Sequence, residues 1–538
     1  MFLKKTKSKN HTYLQLVESY RDDSGNVRHR VVAKLGRLDI LLQSSSLESI
    51  GNKLLELSNS PLVNLNEVEE IDRLCYGHIV YEKLWNKIGV SRIINQLNRG
   101  KNSVGYPLND ALFYSCIHRL LRSTSKLKSY EEKHLFYGVN QDIELHHIYQ
   151  SLDFLAENKQ SIEQLLFDRN RDLFNHSIDV AFYDVTTFHF ESNQADELRE
   201  YGFSKAGKFN EVQVVMGLFT DMKGKPIGYE LFPGNTFDGK TMVEALKILK
   251  ERFCIRKVII VADKGLNSKN NFHLIREAGY EYIVSARIKS MSADLKNKLF
   301  NESGYEMVCD ENAEVVFKHK TENYAVQYTD EEGVEHQWTD KILFTWSAKR
   351  AVKSRKDRQR QVEKAQKFLD SKSSLNDQKG MKRYLIKERS KVIGLNEAKI
   401  DSDAQWDGYY GIQFSNPKLK NDEVLSAYHQ LWRIEQSFRI MKTTLKTRPI
   451  FHWTKSRIEG HFMLCFIAFL LERNLEIKLN EKGLCLSADV IKETLYKLQL
   501  SKIKFRDKYY LMKGANGPYG AKVLRALNIA PLKNIQPI

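Results

Sequence analysis

Residues 12 to 36 alternate apolar and polar positions in two runs, YLQLVESY and VRHRVVAKLG, on either side of the turn-forming cluster Asp22-Asp23-Ser24-Gly25-Asn26. The two-residue repeat is that of a half-buried strand, so the pattern predicts a β-hairpin. From about 41 to 175 the apolar residues move to three- and four-residue spacing, as in HIVYEKLWNKIGVSRIINQL and NDALFYSCIHRLLR, and predict helices. Between 178 and 290 the pattern changes again. SIDVAFYDVTTFHFE is strand-like, VQVVMGLFTD and KPIGYELFPG make a hairpin around Met222-Lys223-Gly224, and a helix follows from about Asp238, its expected N-cap. VIIVAD, a short run rich in Val and Ile, predicts a buried strand. A helix over 268–278 and the strand YEYIVSA follow it.

The resulting β-β-β-α-β-α-β order is that of an RNase H-like core, a mixed α/β fold with helices on the faces of one sheet. Residues 291–415 interrupt it with strand-like stretches (EVVFKHK, YAVQYTD, KILFTWS) and a basic helix, AKRAVKSRKDRQRQVEKAQKFL. Beyond 421 the pattern is helical and closes in an irregular tail near KGANGPYGAK. The predicted organisation is a basic N-terminal hairpin over 1–40 and a helical region over 41–175. The first part of the core follows over 176–290, the mainly β insertion over 291–415, the second part of the core over 416–475 and a C-terminal region over 476–538.

Composition narrows the partners. The 84 Lys and Arg against 67 Asp and Glu give a formal charge of +17, a surplus suited to a polyanion whose condensed counterions are released on binding. Hydrophobic residues at 42% are enough to fill real cores, which excludes a chain disordered throughout. The six cysteines are scattered without a CxxC pair, so neither a zinc site nor a disulfide framework is indicated and a reducing compartment is expected. The longest apolar run, Phe462 to Leu471, is too short to cross a bilayer, and MFLKKTKSKN has no apolar signal segment. A soluble, cytoplasmic protein without a membrane partner is the expectation. Gly-rich phosphate loops are absent, so ATP use is not indicated.

Three acids stand out. Asp184 lies within the first core strand, and Asp263 ends VIIVADKG, where a buried parallel strand emerges at its carboxyl edge. Two carboxylates on neighbouring strands repel one another unless a cation lies between them, and a hard ion with oxygen ligands such as Mg²⁺ resolves the conflict. The third acid is Glu435. On one helix from Asp422 to Leu445, advancing about 100° per residue, Tyr428, Trp432, Glu435, Arg439 and Lys442 share a stripe. A lone strand-end Asp is more often a turn residue, and Glu, Arg and Lys at helical spacing are more often a solvated face. The three acids in this order of elements are what point to a site. His189 and His273 have no second His at ligand spacing, and Asp179 and Glu191 read as exposed strand residues.

At these motifs the sequence resembles the DDE transposases of bacterial insertion sequences, in particular the insertion-sequence-four superfamily, over roughly 175 to 475. YDVTTFHFES carries Asp184 as the first acid, VADKGL carries Asp263 as the second, and YHQLWRIEQSFRIMK carries Glu435 as the third. The gap from Asp263 to Glu435 is more than twice that from Asp184 to Asp263, as a β-rich insertion before the Glu would make it. The group's Y-(2)-R-(3)-E-(6)-K signature is met by Tyr428, Glu435 and Lys442, but Leu431 occupies the Arg position. Arg433 points about 140° from Tyr428 on a helical wheel, so Arg439 is the candidate replacement.

The resemblance implies metal-dependent DNA strand cleavage followed by strand transfer, the cut-and-paste movement of an insertion sequence. Two Mg²⁺ or Mn²⁺ ions are implied, with Asp184 bridging them and Asp263 and Glu435 each holding one. Tyr428, Arg439 and Lys442 are implied to contact DNA phosphates. The basic segment adds Lys349, Arg350, Lys353, Arg355 and Lys356 as a phosphate track. The implied partners are double-stranded DNA, both terminal inverted repeats and target, and a second copy of the chain in a homodimeric synaptic complex near the bacterial nucleoid. The region 41–175 is expected to bind DNA ends and 476–538 to dimerise. Relatives use an aromatic of the insertion to trap a flipped base, for which Trp338 and Trp346 are candidates. A nuclease without strand transfer and a transposase-derived DNA-binding protein remain as alternatives.

Overall fold

The computed structural model describes residues 1–57, 68–99, 104–174, 180–192, 194–202, 210–236, 240–255, 259–262, 266–371, 380–388, 391–448, 450–505 and 507–538. They divide into two compact units.

The first unit comprises Met1–Arg73, Leu500–Gly514 and Leu532–Ile538. Its N-terminal sheet has three strands, β1 (Phe2–Ser8), β2 (His11–Arg21) and β3 (Val27–Arg37), all antiparallel. The expected hairpin is β2–β3. Its turn forms because Asp22 Oδ1 accepts the N–H groups of Ser24 and Asn26 at 3.1 and 3.0 Å while Gly25 takes φ +80°. The Lys-rich β1 falls outside the predicted hairpin because its charges obscure the alternation, yet it pairs with β2 from end to end. A second sheet orders Ile535–Pro537, Lys508–Lys513, Gln499–Phe505 and β4 (Val68–Cys75). These strands correct the expectation of an all-helical region after 41 and of a helical and irregular C-terminus.

The second unit comprises Leu74–Gln499 and Ala515–Pro531. Its centre is a nine-stranded sheet. The strands are β5 (Val180–His189), β6 (Gln213–Thr220), β7 (Pro226–Pro233), β8 (Ile259–Ala262), β9 (Glu281–Ser285), β10 (Glu306–Cys309), β11 (Val315–Thr329), β12 (Glu335–Ser347) and, after a small hairpin of β13 (Leu385–Glu388) and β14 (Lys391–Leu395), β15 (Tyr409–Phe414). Their order is β10-β11-β12-β15-β9-β8-β5-β6-β7. From β7 to β9 this is the RNase H-like arrangement, with β5, β6 and β7 antiparallel and β8 and β9 parallel to β5. The strands of the insertion continue the core sheet, since β15 pairs with β9 and β12 with β15. EVVFKHK and YAVQYTD merge into the single 15-residue strand β11, which pairs along β12.

Side chains alternate across β5 and divide its two faces. Ala181, Tyr183 and Val185 enter a core with Met242, Leu246, Leu249, Phe272 and Ile275 from the helices behind. Tyr183 lies over Gly217 of β6, where a Cβ would come within 2.4 Å of its hydroxyl oxygen. On the opposite face Phe188 meets Phe462 edge to face at 5.2 Å. Phe462 belongs to the helix Lys455–Glu481, which is buried almost throughout. The apolar run read as a buried helix is therefore the spine of the unit. The helices Leu108–Leu121 and Leu145–Glu157 pack on it, and Gly460 lets the second approach so closely that a Cβ would meet Leu152 O at 2.0 Å. No helix of the described residues is long and apolar enough to cross a membrane.

The spine also buries Glu472, whose Oε2 accepts the Tyr81 hydroxyl at 2.5 Å. Burial, with Glu476 nearby, raises its pKa to about 8 against Arg473 and Lys492. The folded chain keeps this proton where the unfolded chain has lost it, from the ordinary value of 4.5 up to about 8. The folded state therefore binds more protons in that window, and stability falls as pH rises through it, by at most about 1.4 kcal/mol per pH unit. Glu472→Gln keeps an acceptor for Tyr81 and removes the titration. The melting temperature of the variant is expected to decline less between about pH 5 and 8, and parallel curves would refute the assignment.

Candidate active site

Asp184 is carried on the same face of β5 as Thr186 and Phe188, opposite the Tyr183 core. It is half-buried, stands across from Leu218 of β6, and its Oδ1 accepts the N–H of Val185 at 2.8 Å. The parallel pairing of β5 with β8 sets Phe182 beside Val261. Asp263 follows Ala262, the last residue of β8, in sequence and lies outside the described residues, as does Asp238. Glu435 is exposed on the helix Trp432–Arg439, which packs on β5 and buries Ile434, Ser437 and Phe438.

Asp184 and Glu435 line one cavity of about 470 Å³. Its walls include Phe317 of β11, Thr345 and Ser347 of β12, Tyr410 and Ile412 of β15, and Tyr428, Leu431 and Trp432 from the helical side. Arg350, near the start of the basic helix Ala348–Ser371, also reaches it. The Arg350 guanidinium lies 4.1 Å from the centre of the Tyr410 ring and has no ion-pair partner among the described residues. Tyr410 donates to Ser285 Oγ at 2.6 Å and its hydroxyl is hydrogen-bonded to that of Tyr428. Both acids present oxygen donors alone, which suits a hard divalent cation. Their place on the walls of one cavity fits the group the sequence implies.

The stretch 422–445 is not one regular helix. It breaks after Asn421–His429, resumes as Trp432–Arg439 and widens into a π-helical turn over Ile440–Thr444. The extra residue in a π turn shifts the positions after it out of a 100° wheel, and such turns are frequent at functional sites. Lys442, within this turn, hydrogen-bonds Thr186 Oγ1 and sits 5.3 Å from the Phe188 ring, on the Asp184 face of β5. Arg439, placed on the stripe by the regular wheel, is exposed and does not line the cavity. Leu431, in the signature's Arg position, is buried against it. Lys349, Lys353, Arg355 and Lys356 are exposed along the basic helix, outside the cavity.

A second cavity of about 720 Å³ shares Arg350 and Tyr410 with the first. Arg287, Lys289, Arg383, Trp406 and Tyr409 line it. Burial works to raise the Asp403 carboxyl in its wall, but Lys289 at 3.0 Å, with Lys399 and Arg383, holds it below the usual carboxylate range. Trp338 and Trp346 do not line this cavity: their indole N–H groups donate to Tyr282 at 3.2 Å and to Asp407 O at 3.0 Å. His273 faces Glu277 at 3.6 Å, His189 is buried, Glu191 is exposed, and Asp179 lies outside the described residues. Sequence reading missed Tyr410, Trp406 and the reach of Arg350. Tyr410 falls in YYGIQF, a stretch inside the predicted insertion 291–415 that is not among its expected strands and whose alternation is the one local signal for it.

The family described as the transposase DDE domain matches residues 175–471, more than half of the chain. This chain belongs to the DDE transposases. The IS1634 family transposase N-terminal domain matches residues 3–74, which marks the transposase as one of an insertion sequence. Membership makes it an enzyme of DNA transposition, and DDE domains generally work with divalent metal ions. No curated protein matches the transposase sequence. Among solved structures, a cryo-EM structure of the piggyBac transposase synaptic complex with hairpin DNA is similar at 10% identity and a TM-score of 0.36, over 79% of this chain and 80% of that one.

Proposed function

We propose that this transposase cuts DNA at the ends of its insertion sequence and joins the freed 3′-hydroxyl to target DNA, using Asp184, Asp263 and Glu435. The observation that carries the reading is that Asp184 and Glu435, far apart in sequence, line one cavity with a cation, Arg350, on its wall. The three acids would hold two Mg²⁺ or Mn²⁺ ions, which when bound activate the attacking water or 3′-hydroxyl and neutralise the leaving oxygen.

The chain's own groups position the DNA. Stacked on Tyr410, the Arg350 guanidinium keeps its in-plane N–H groups for two oxygens of one phosphate. Arg350 thus supplies the cation that Leu431 does not. Tyr428, hydrogen-bonded to Tyr410 on the cavity wall, serves as a further contact to a DNA phosphate. Lys442 holds Thr186 and places positive charge beside Asp184. Lys349, Lys353, Arg355, Lys356 and Arg439 serve as an exposed phosphate track that gives position and not sequence readout. Trp406, which lines the second cavity beside Tyr409 and Tyr410, joins Trp338 and Trp346 as a candidate to meet an unpaired base. The region 41–175 binds the transposon ends, and 476–538 contributes to a homodimeric synapse.

The test is a joining assay with purified protein, Mg²⁺, a duplex carrying the transposon end and a supercoiled target. Joined products are expected. Cleavage without joining would support the nuclease reading instead, and sequence-specific binding without cleavage the DNA-binding one.

A further inference from the structure

The helix that carries Glu435 is short and irregular at both ends. It spans Trp432–Arg439, starts at Leu431 without a side-chain cap and runs directly into the π turn. Apolar contact through Ile434 and Phe438 fixes its distance from the sheet but resists rotation about its own axis only weakly. Rotation would swing Glu435 away from Asp184, because the two acids meet across a cavity and not through a shared hydrogen bond.

A polar tether acts on the residues next to Glu435. Arg473 of the spine helix is 4% exposed. Its Nη2 donates to Ser437 Oγ at 3.2 Å and its Nη1 reaches Gln436 Oε1 at 3.5 Å. Glu476, one turn on, holds the same guanidinium at 2.6 Å, and the Phe469 ring lies 5.4 Å from it. Ser437 Oγ in turn donates to Arg433 O at 2.7 Å, and Arg433 reaches Lys223 O in the β6–β7 turn at 3.3 Å. A buried ion pair contributes little net stability compared with apolar residues of the same volume. What this one supplies is direction, since a planar guanidinium engages its partners in a fixed geometry.

We propose that Arg473, held by Glu476, is a positioning residue that sets the rotation of the Trp432–Arg439 helix so that Glu435 faces Asp184. The proposal rests on the reading of Asp184 and Glu435 as metal ligands. It is tested by Mn²⁺ binding to the DNA-free protein, followed by the electron paramagnetic resonance signal of free Mn²⁺, beside cleavage of an end-bearing duplex. Arg473→Gln and the double variant Arg473→Met/Glu476→Leu are expected to keep the wild-type circular dichroism spectrum and duplex affinity. Each is expected to need about tenfold more Mn²⁺ for half-occupancy, as when an outer-shell partner of a metal ligand is lost. Arg473→Lys is expected to recover part of that loss. If Arg473→Gln does not fold, the double variant, which leaves no unpaired buried charge, decides. Unchanged Mn²⁺ binding in the folded variants, with Glu435→Gln weakened, would overturn the brace alone. Unchanged binding in Glu435→Gln would overturn the ligand assignment and the brace with it.

Discussion

Asp184→Asn is expected to reduce strand cleavage at least about 10³-fold while leaving the fold and duplex binding intact, because several kcal/mol of transition-state stabilisation are lost with the metal-holding carboxylate. The substitution is nearly isosteric, and the Asn oxygen still accepts the N–H that Val185 now gives to Asp184 Oδ1. What changes is the charge. Glu435→Gln removes a carboxylate from an exposed position and is expected to have an effect of the same order with no cost in stability. Asp422→Asn, an exposed acid on the preceding helix outside the cavity, is expected to cleave as wild type does. Removing divalent ions with a chelator is expected to stop cleavage and to leave binding, and added Mg²⁺ to restore it. Gel assays of single-turnover cleavage decide the matter. Asp184→Asn within about tenfold of wild type would sink the assignment.

How much of this could be read from the sequence depended on whether local pattern or long-range pairing decided each feature. The RNase H-like order was legible because β5 to β9 are short, apolar and bounded by turn residues, and because Asp184 interrupts such a strand. β1 was not legible, since its Lys residues hide its alternation and only pairing with β2 makes it a strand. Nothing local says that β15 docks antiparallel on β9, which turns a separate β region into an extension of the core sheet. That one pairing carries Tyr410 to the cavity, and the basic helix brings Arg350 against its ring. The single helix predicted over 422–445 was not legible as three pieces, a break at Gln430–Leu431 and a π turn over Ile440–Thr444. Glu435 and Arg439 share the regular segment Trp432–Arg439 and both are exposed, yet Glu435 lines the cavity and Arg439 does not, because a wheel gives direction and not reach. Lys442, which the wheel puts on the same stripe as Glu435, meets Thr186 on the Asp184 face of β5.

The consequence for the missing signature arginine can be measured. Arg350→Ala is expected to lower cleavage about 10²-fold, as the loss of one preorganised donor to a reacting phosphate does, with a much smaller change in duplex affinity. Lys349→Ala, one residue away but exposed outside the cavity, is expected to act in the opposite way. It should weaken binding to any duplex alike and reduce the slope of log affinity against log salt by about one, with cleavage at saturating DNA unchanged. The contrast is informative because both residues add the same charge to the same helix. A phosphate track predicts equal effects, whereas a group stacked on Tyr410 beside Asp184 and Glu435 predicts a rate effect at Arg350 alone. Arg350→Lys separates charge from shape: an ammonium keeps the charge but lacks the planar fork that lies on the Tyr410 ring, so it is expected to recover little. Arg439→Ala completes the comparison. If it, and not Arg350→Ala, slows cleavage at saturating DNA, then the regular wheel was the better guide and the helix closes further on the sheet when DNA is bound.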